Sequence, residues 1–209
     1  MSGKIDEILE RMKALENELR SALQKREEEL SYHIQKHKVY FDPEVLARHK
    51  KEVIGLYRYI KGTPILNILT APVIYGLVFP ALLIDLSVTL YQAVCFPVYK
   101  IKKVKRSDHI IIDRHYLSYL NLIEKINCIY CGYMNGMFGY ITEVAARTEQ
   151  YWCPIKHARK TAFMHSRYRH FTDYGEAETY HEELKRLRAM LKELDDADPE
   201  RKKEDKKPL

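Results

Sequence analysis

The chain has 209 residues, with 35 Lys+Arg against 29 Asp+Glu and a formal charge of +6, and its mean hydropathy of −0.42 is that of an ordinary soluble, mildly basic protein. Four cysteines exclude a disulfide-dense secreted scaffold, and eight Gly with eight Pro exclude a low-complexity or collagenous chain. The length suits one or two domains with a real core, but the charge is so unevenly placed that the middle of the chain is nearly free of it.

Residues 1–40 read as one charged helix. Ile5, Ile8, Met12, Leu15, Leu19 and Ala22 fall at alternating steps of three and four, the a/d seam of a heptad, and Leu9, Leu23 and Leu30 thicken the stripe. Glu7 with Arg11 and Glu16 with Arg20 are favourable i,i+4 pairs. No Gly or Pro interrupts from Lys4 to Asp42, and the apolar stretch of a secretory signal is missing. The pattern suits either a coiled coil with a second copy or an amphipathic helix packed on its own chain. Residues 41–63 turn basic, with Arg48, Lys50, Lys51, Arg58 and Lys61 interleaved by Tyr57 and Tyr59. Asp42-Pro43-Glu44 predicts a helix start, with Asp as cap and Pro at the first helical position. Gly62, Thr63 and Pro64 then break the pattern.

Across residues 64–99 the only formal charge is Asp85. One straight helix of that length would measure about 54 Å, well beyond a hydrocarbon core of about 30 Å. Two full spans would need slightly more residues than there are. Pro72, Pro80 and Pro97 also sit where an uninterrupted helix would not want them. Lys51, Arg58 and Lys61 precede the segment, and Lys100, Lys102, Lys103, Lys105 and Arg106 follow it, so both ends belong on the cytoplasmic side of a membrane. A membrane hairpin, as two short spans or a re-entrant wedge, satisfies length, prolines and charge together. Asp85 would lie near its turn, and Tyr91 and Tyr99 in an interfacial belt. The competing reading is a buried helix pair of a soluble protein.

Residues 100–175 hold most of the chemistry. Ile110 to Ile112 suggest a short strand or the lip of a helix, and Arg114 to about Asn127 a helix with Leu117, Leu120 and Ile123 on one face. Cys128-Ile-Tyr-Cys131-Gly132 is a Cys-x-x-Cys-Gly unit, and after 21 intervening residues comes Cys153-Pro-Ile-Lys-His157. Three thiolates and an imidazole, Cys128, Cys131, Cys153 and His157, make a Cys3His set of the kind that closes a tetrahedral zinc site, with iron as the alternative metal. Two other readings are a Cys128–Cys131 redox pair and unligated buried thiols. Cys95 is a small buried hydrophobe within the apolar segment. Glu143 and Arg147 would bridge on one helix face. Glu143, Glu149 and His115 are either additional groups at the metal or solvated and supporting charges. The spacing His33/His37 raises a di-iron membrane oxygenase, but its doublet-His boxes are absent.

Beyond His157, Arg159, Lys160, His165, Arg167, Arg169 and His170 form a basic, aromatic stretch with Tyr168. A nucleic-acid surface could be built so, yet the densest cationic run abuts the apolar segment, and anionic headgroups account for it more directly. Residues 176–195 predict an amphipathic helix, with Ala177, Tyr180, Leu184, Leu187, Leu191 and Leu194 on one face, packing on the N-terminal helix or a dimer mate. Residues 196–209 are charged and read as a disordered tail.

The motifs CIYCGY and EVAARTEQYWCPIKH, between Cys128 and His157, resemble those of uncharacterised bacterial membrane-anchored proteins that pair such a motif with an apolar hairpin. The resemblance covers Tyr40 to Arg169 and implies no activity. CIYCG alone also resembles zinc-ribbon and treble-clef half-sites, although the second half, Cys-x3-His, departs from the ribbon pattern. The expected protein is thus mainly α, with a membrane hairpin, a Cys3His module and coiled-coil-like terminal helices. Its expected role is that of a scaffold or adaptor on the bacterial inner membrane, both termini cytoplasmic. The partners would be lipid at 64–99 and a second copy at the terminal helices, with nucleic acid not expected. The alternative is a membrane-bound metal-dependent oxidoreductase acting on a lipid or quinone-like substrate.

Overall fold

A computed structural model describes residues 2–29, 32–35 and 38–193, and the fold is mainly helical, as expected. The first helix, α1 (Ser2–Glu29), ends eleven residues before the expected point. Two short strands follow, β1 (Tyr32–Gln35) and β2 (Lys38–Phe41), paired antiparallel with Tyr32 opposite Phe41 and Ile34 opposite Val39. The reason is local. Tyr32, Ile34, Val39 and Phe41 alternate with polar residues, a period of two in aromatic and β-branched side chains that suits strands better than a helix. His33 therefore lies on a strand and shares no helix face with His37, which falls outside the described residues, as do Leu30, Leu194 and the tail.

The helix α2 (Pro43–Lys51) begins as read, with Asp42 as the extended cap residue and Pro43 at the first position. After α3 (Leu56–Gly62) come α4 (Ile65–Gly76) and α5 (Val78–Tyr99). Only Leu77 separates these two, and its angles are helical (φ −63°, ψ −14°). The chain does not reverse there, so the segment is one interrupted helix and not the expected hairpin with a turn near Asp85. Pro80 supplies the break, since it has no N–H for the Gly76 carbonyl. Asp85 lies well inside α5 and is buried. Lys100 ends α5 in a left-handed conformation (φ 57°), and the Ile101 N–H donates back to the Phe96 carbonyl at 2.8 Å.

Residues 101–121 form an irregular return segment with 3-10 turns at Arg106–Asp108 and Arg114–Tyr116. Neither a strand at Ile110–Ile112 nor a helix from Arg114 forms. The helix starts later, as α6 (Leu122–Trp152), because Asn121 and Glu124 make a reciprocal capping box. The last helix, α7 (Tyr180–Glu193), packs chiefly on α6 among the described residues, where α1 was the expected partner. Its Leu187 and Leu191 are buried, and Gln150 of α6 donates to the Leu187 carbonyl.

The interrupted helix α4–α5 and the helix α6 run parallel. Tyr75 bonds Asn127, Tyr133 bonds Asp85, Tyr91 bonds Thr148, and Tyr99 stacks on Tyr151. The return segment runs the opposite way beside both, bringing Arg106 to Asp85 and the Ile111 carbonyl to Gly132. Phe96, Ile101, Val104, Tyr140, Val144 and Leu191 form a buried core where α5, α6, α7 and the return segment meet.

Candidate functional site

Helix α5 is polar inside and apolar outside. Ala81, Asp85, Gln92 and Phe96 are its buried residues, with Val88 and Thr89 half-buried beside them. Steps of three and four put them on one helix face. The opposite face carries Phe79, Leu83, Leu86, Leu90, Val94 and Val98, each between 59% and 74% exposed. In water a helix buries its leucines and shows its carboxylate. In α5 this arrangement is inverted.

A connected set of hydrogen bonds satisfies the buried polar face. The Arg106 guanidinium donates to both Asp85 oxygens, from Nε at 3.1 Å, and the Tyr133 hydroxyl donates to Asp85 Oδ2 at 2.9 Å. Gln92 Nε2 donates to the Val104 carbonyl at 3.1 Å and to the Tyr140 hydroxyl at 2.7 Å, while the Val104 N–H donates to Gln92 Oε1 at 2.9 Å. A buried carboxylate left without such partners would cost several kcal/mol, about 3–5 when one member of a pair is removed. The groups are thus arranged to hold the return segment against α5. Lys100, Lys102, Lys103 and Lys105 on that segment are all exposed.

Helix α4 makes the apolar surface longer. None of its residues is buried, and Ile65, Leu66, Leu69 and Val73 are among the most exposed side chains. The Ile54 carbonyl accepts from Asn121, and Tyr75 bonds Asn127, so the chain leaves and rejoins the body at the same end of α6. The stretch Ile65–Tyr99 is long and apolar enough to cross a membrane, and only 11% of its most apolar part is buried. A core helix of a soluble protein would be mostly covered.

The proposed metal ligands are not brought together. Cys128 and Cys131 lie inside α6, while Cys153 caps its far end. At 1.5 Å per residue, Cys131 and Cys153 stand about 33 Å apart along one helix. Cys131 and Cys153 are exposed and Cys128 is half-buried. His157 stacks its ring on Tyr168, with centroids 6.0 Å apart. Among the described residues no group of three or more His, Cys, Asp or Glu could hold a metal ion. Nothing turns the chain at Cys128-x-x-Cys131-Gly132, because Gly132 is a helical residue and its bare Cα faces the return segment.

The acidic candidates have other partners. Glu143 Oε1 accepts from Arg147 Nε at 2.9 Å, as the spacing predicted, and also from Arg167 Nε at 3.0 Å. Burial raises the Glu143 pKa, but the two guanidiniums outweigh it and hold the carboxyl below its ordinary value. Glu149 pairs with His165 at 2.9 Å. His115 packs its ring at a tilt against Tyr116, near the opposite end of α6. The basic stretch after His157 is thereby partly turned inward. Arg167 binds Glu143 and Gln150, and Tyr168 packs with His157, His165 and Phe171.

Sequence reasoning missed Gln92 and Tyr140. A signal was present, since Asp85, Thr89 and Gln92 recur at steps of four and three inside an otherwise apolar run. No protein-family model, curated protein or solved structure matches the chain.

Proposed function

We propose that the protein is a membrane-attached scaffold, seated on lipid by α4 and α5. The observation that carries the reading is the inverted polarity of α5, with Asp85 and Gln92 inside and Leu83, Leu86 and Leu90 outside. Exposed apolar patches of this extent mark a lipid or protein contact. The cationic run Lys100 to Arg106 favours anionic headgroups, and by the positive-inside tendency it favours the cytoplasmic face. Helix α1 supports the scaffold part. Its Ile8, Met12, Leu15, Leu19 and Leu23 are all about half or more exposed and leave a heptad seam open for a second copy. A zinc site plays no part in this proposal, because Cys128 and Cys131 lie within α6 while Cys153 and His157 lie at and beyond its far end.

Carbonate extraction of membranes from cells expressing the full chain tests the anchor. The protein should stay in the membrane pellet at high pH and enter solution only with detergent. Full recovery as a soluble species after carbonate would overturn the proposal.

A further inference from the structure

We infer that α5 lies along the membrane plane within one leaflet, its Phe79–Val98 stripe against the acyl chains of anionic lipids, and that it does not cross the bilayer. The inference rests on the membrane reading above and adds the geometry of the contact.

The return segment decides between lying and crossing. It leaves α5 at Lys100 and runs back beside it, with Val104 bonded to Gln92 and Arg106 to Asp85. Exposed Lys105 and Arg106 therefore stand level with residues 85–92 of α5, and exposed Lys102 and Lys103 follow on the same segment between Val104 and Lys100. If α5 were upright, these lysines and the irregular backbone that carries them would sit in the hydrocarbon. Irregular backbone exposed to lipid does not occur there, since nothing replaces its hydrogen bonds to water. With α5 lying flat, the same lysines run along the headgroup layer and the leucines point into the leaflet. Charge and apolar surface, interleaved along one axis, then each meet their own medium. The interrupted helix α4–α5 as a whole is also too long for an upright fit, although α5 alone, at about 33 Å, is not. Residues 65–99 would measure about 52 Å against a core of about 30 Å.

The two sides of α5 agree with this. Its buried face is occupied by α6 from Asp85–Tyr133 to Tyr99–Tyr151, and by the return segment from Asp85–Arg106 to Gln92–Val104. A helix covered on one side from residue 85 onward and apolar on the other has one planar contact to make.

Two measurements on the unmodified full-length protein test this. The first applies a membrane-impermeant amine reagent to right-side-out and inside-out vesicles from the expressing host, read by mass spectrometry. Lys61, Lys100, Lys102, Lys103 and Lys105 should all be labelled in one orientation and protected at least about tenfold in the other. The second crosslinks the protein in phosphatidylglycerol–phosphatidylcholine vesicles with photoreactive lipids whose group sits at a shallow or a deep acyl position. Residues 79, 83, 86, 90, 94 and 98 should share one depth preference. Labelling of Lys61 and Lys100–Lys105 from opposite faces overturns the in-plane helix and leaves the membrane reading standing. So does a depth preference that changes steadily along α5. No crosslink from either lipid overturns both.

Discussion

Gln92 and Val104 pair as two strand residues would. The side-chain amide of Gln92 accepts from the Val104 N–H at 2.9 Å and donates to its carbonyl at 3.1 Å. Both groups are buried, so a side chain on α5 satisfies main-chain atoms of a segment that has no sheet to join. Substituting Gln92→Leu would leave the Val104 N–H and carbonyl and the Tyr140 hydroxyl without this partner. Each unsatisfied group costs about 1–3 kcal/mol, so a loss of roughly 3 kcal/mol is expected. Denaturant unfolding in detergent measures it. An unchanged midpoint would mean that the return segment is not held at Gln92.

Glycines 136 and 139 should respond to alanine in opposite ways. A Cβ on Gly136 would stand 2.6 Å from the His109 carbonyl oxygen and 2.7 Å from the Ile110 Cα, both main-chain atoms that have to move. At Gly139 the nearest contact is His109 Nδ1 at 3.6 Å, an ordinary separation. Alanine is better than glycine inside a helix by about 1 kcal/mol. Gly139→Ala should therefore be neutral or stabilising. Gly136→Ala should lose about 1–3 kcal/mol, the usual cost of overpacking. Equal thermal shifts for the two variants would contradict the close approach of α6 and the return segment.

Helix content and the apolar segment were legible in the sequence because both depend on local pattern. The start of α2 at Asp42-Pro43 followed from the local residue pattern, with Pro43 at the first helical position although the Asp42 side chain makes no cap hydrogen bond, and the pairing of Glu143 with Arg147 from helical spacing. What failed depended on contacts distant in sequence. Cys128-x-x-Cys131-Gly132 has the composition of a metal knuckle, but the 31 residues from Leu122 to Trp152 contain no proline and start from a strong cap. Such a stretch continues as a helix and carries Cys131 away from Cys153. The hairpin failed for a related reason. Pro72, Pro80 and Pro97 count against an uninterrupted helix, but a proline inside a helix removes one hydrogen bond and bends it without reversing the chain. The inverted polarity of α5 was written in the spacing of Asp85, Thr89 and Gln92, but its direction became visible only with Arg106 and Tyr140 placed against them.

Acid should weaken the packing of the segment after α6 through Glu143. Burial raises its pKa, and the Arg167 and Arg147 guanidiniums lower it by more, so the folded value lies below the ordinary 4.5. The unfolded chain then binds the proton first. The stabilisation is complete above about pH 5 and is lost as pH falls through the folded value. The variant Glu143→Gln should flatten stability below about pH 5 and cost roughly 3 kcal/mol at pH 7, where the buried Arg147 and half-buried Arg167 guanidiniums lose their counter-charge. Urea unfolding at several pH values reads both effects. A Glu143→Gln profile parallel to the wild type would assign the acid sensitivity to other groups.

Chelation should not unfold the protein. With Cys131 and Cys153 about 33 Å apart on α6, no single ion joins the two halves of the motif. The substitutions Cys153→Ser and His157→Ala should leave the unfolding midpoint within about 0.5 kcal/mol of wild type, as at other exposed positions. Chelator should leave it unchanged. A structural zinc would behave otherwise, because its binding energy is folding energy. A large drop in midpoint on chelation, reproduced by Cys128→Ser and Cys153→Ser alike, would restore the Cys3His module.

Self-association should depend on one stripe of α1. Within this chain the helix touches chiefly β1, and Ile8, Met12, Leu15, Leu19 and Leu23 stay open to solvent. A single helix in water gains little from propensity alone and is held by packing of its apolar face. Burying a leucine contributes about 1.5–3 kcal/mol, and each seam position is used by both copies. Leu15→Glu and Leu19→Glu should therefore weaken dimerisation of the full-length protein in detergent by at least tenfold. Ser21→Glu, on an exposed position outside the seam, should leave it unchanged. Sedimentation equilibrium distinguishes these outcomes. A wild-type monomer at every concentration, or equal weakening by all three variants, would leave the stripe without a second copy as its partner.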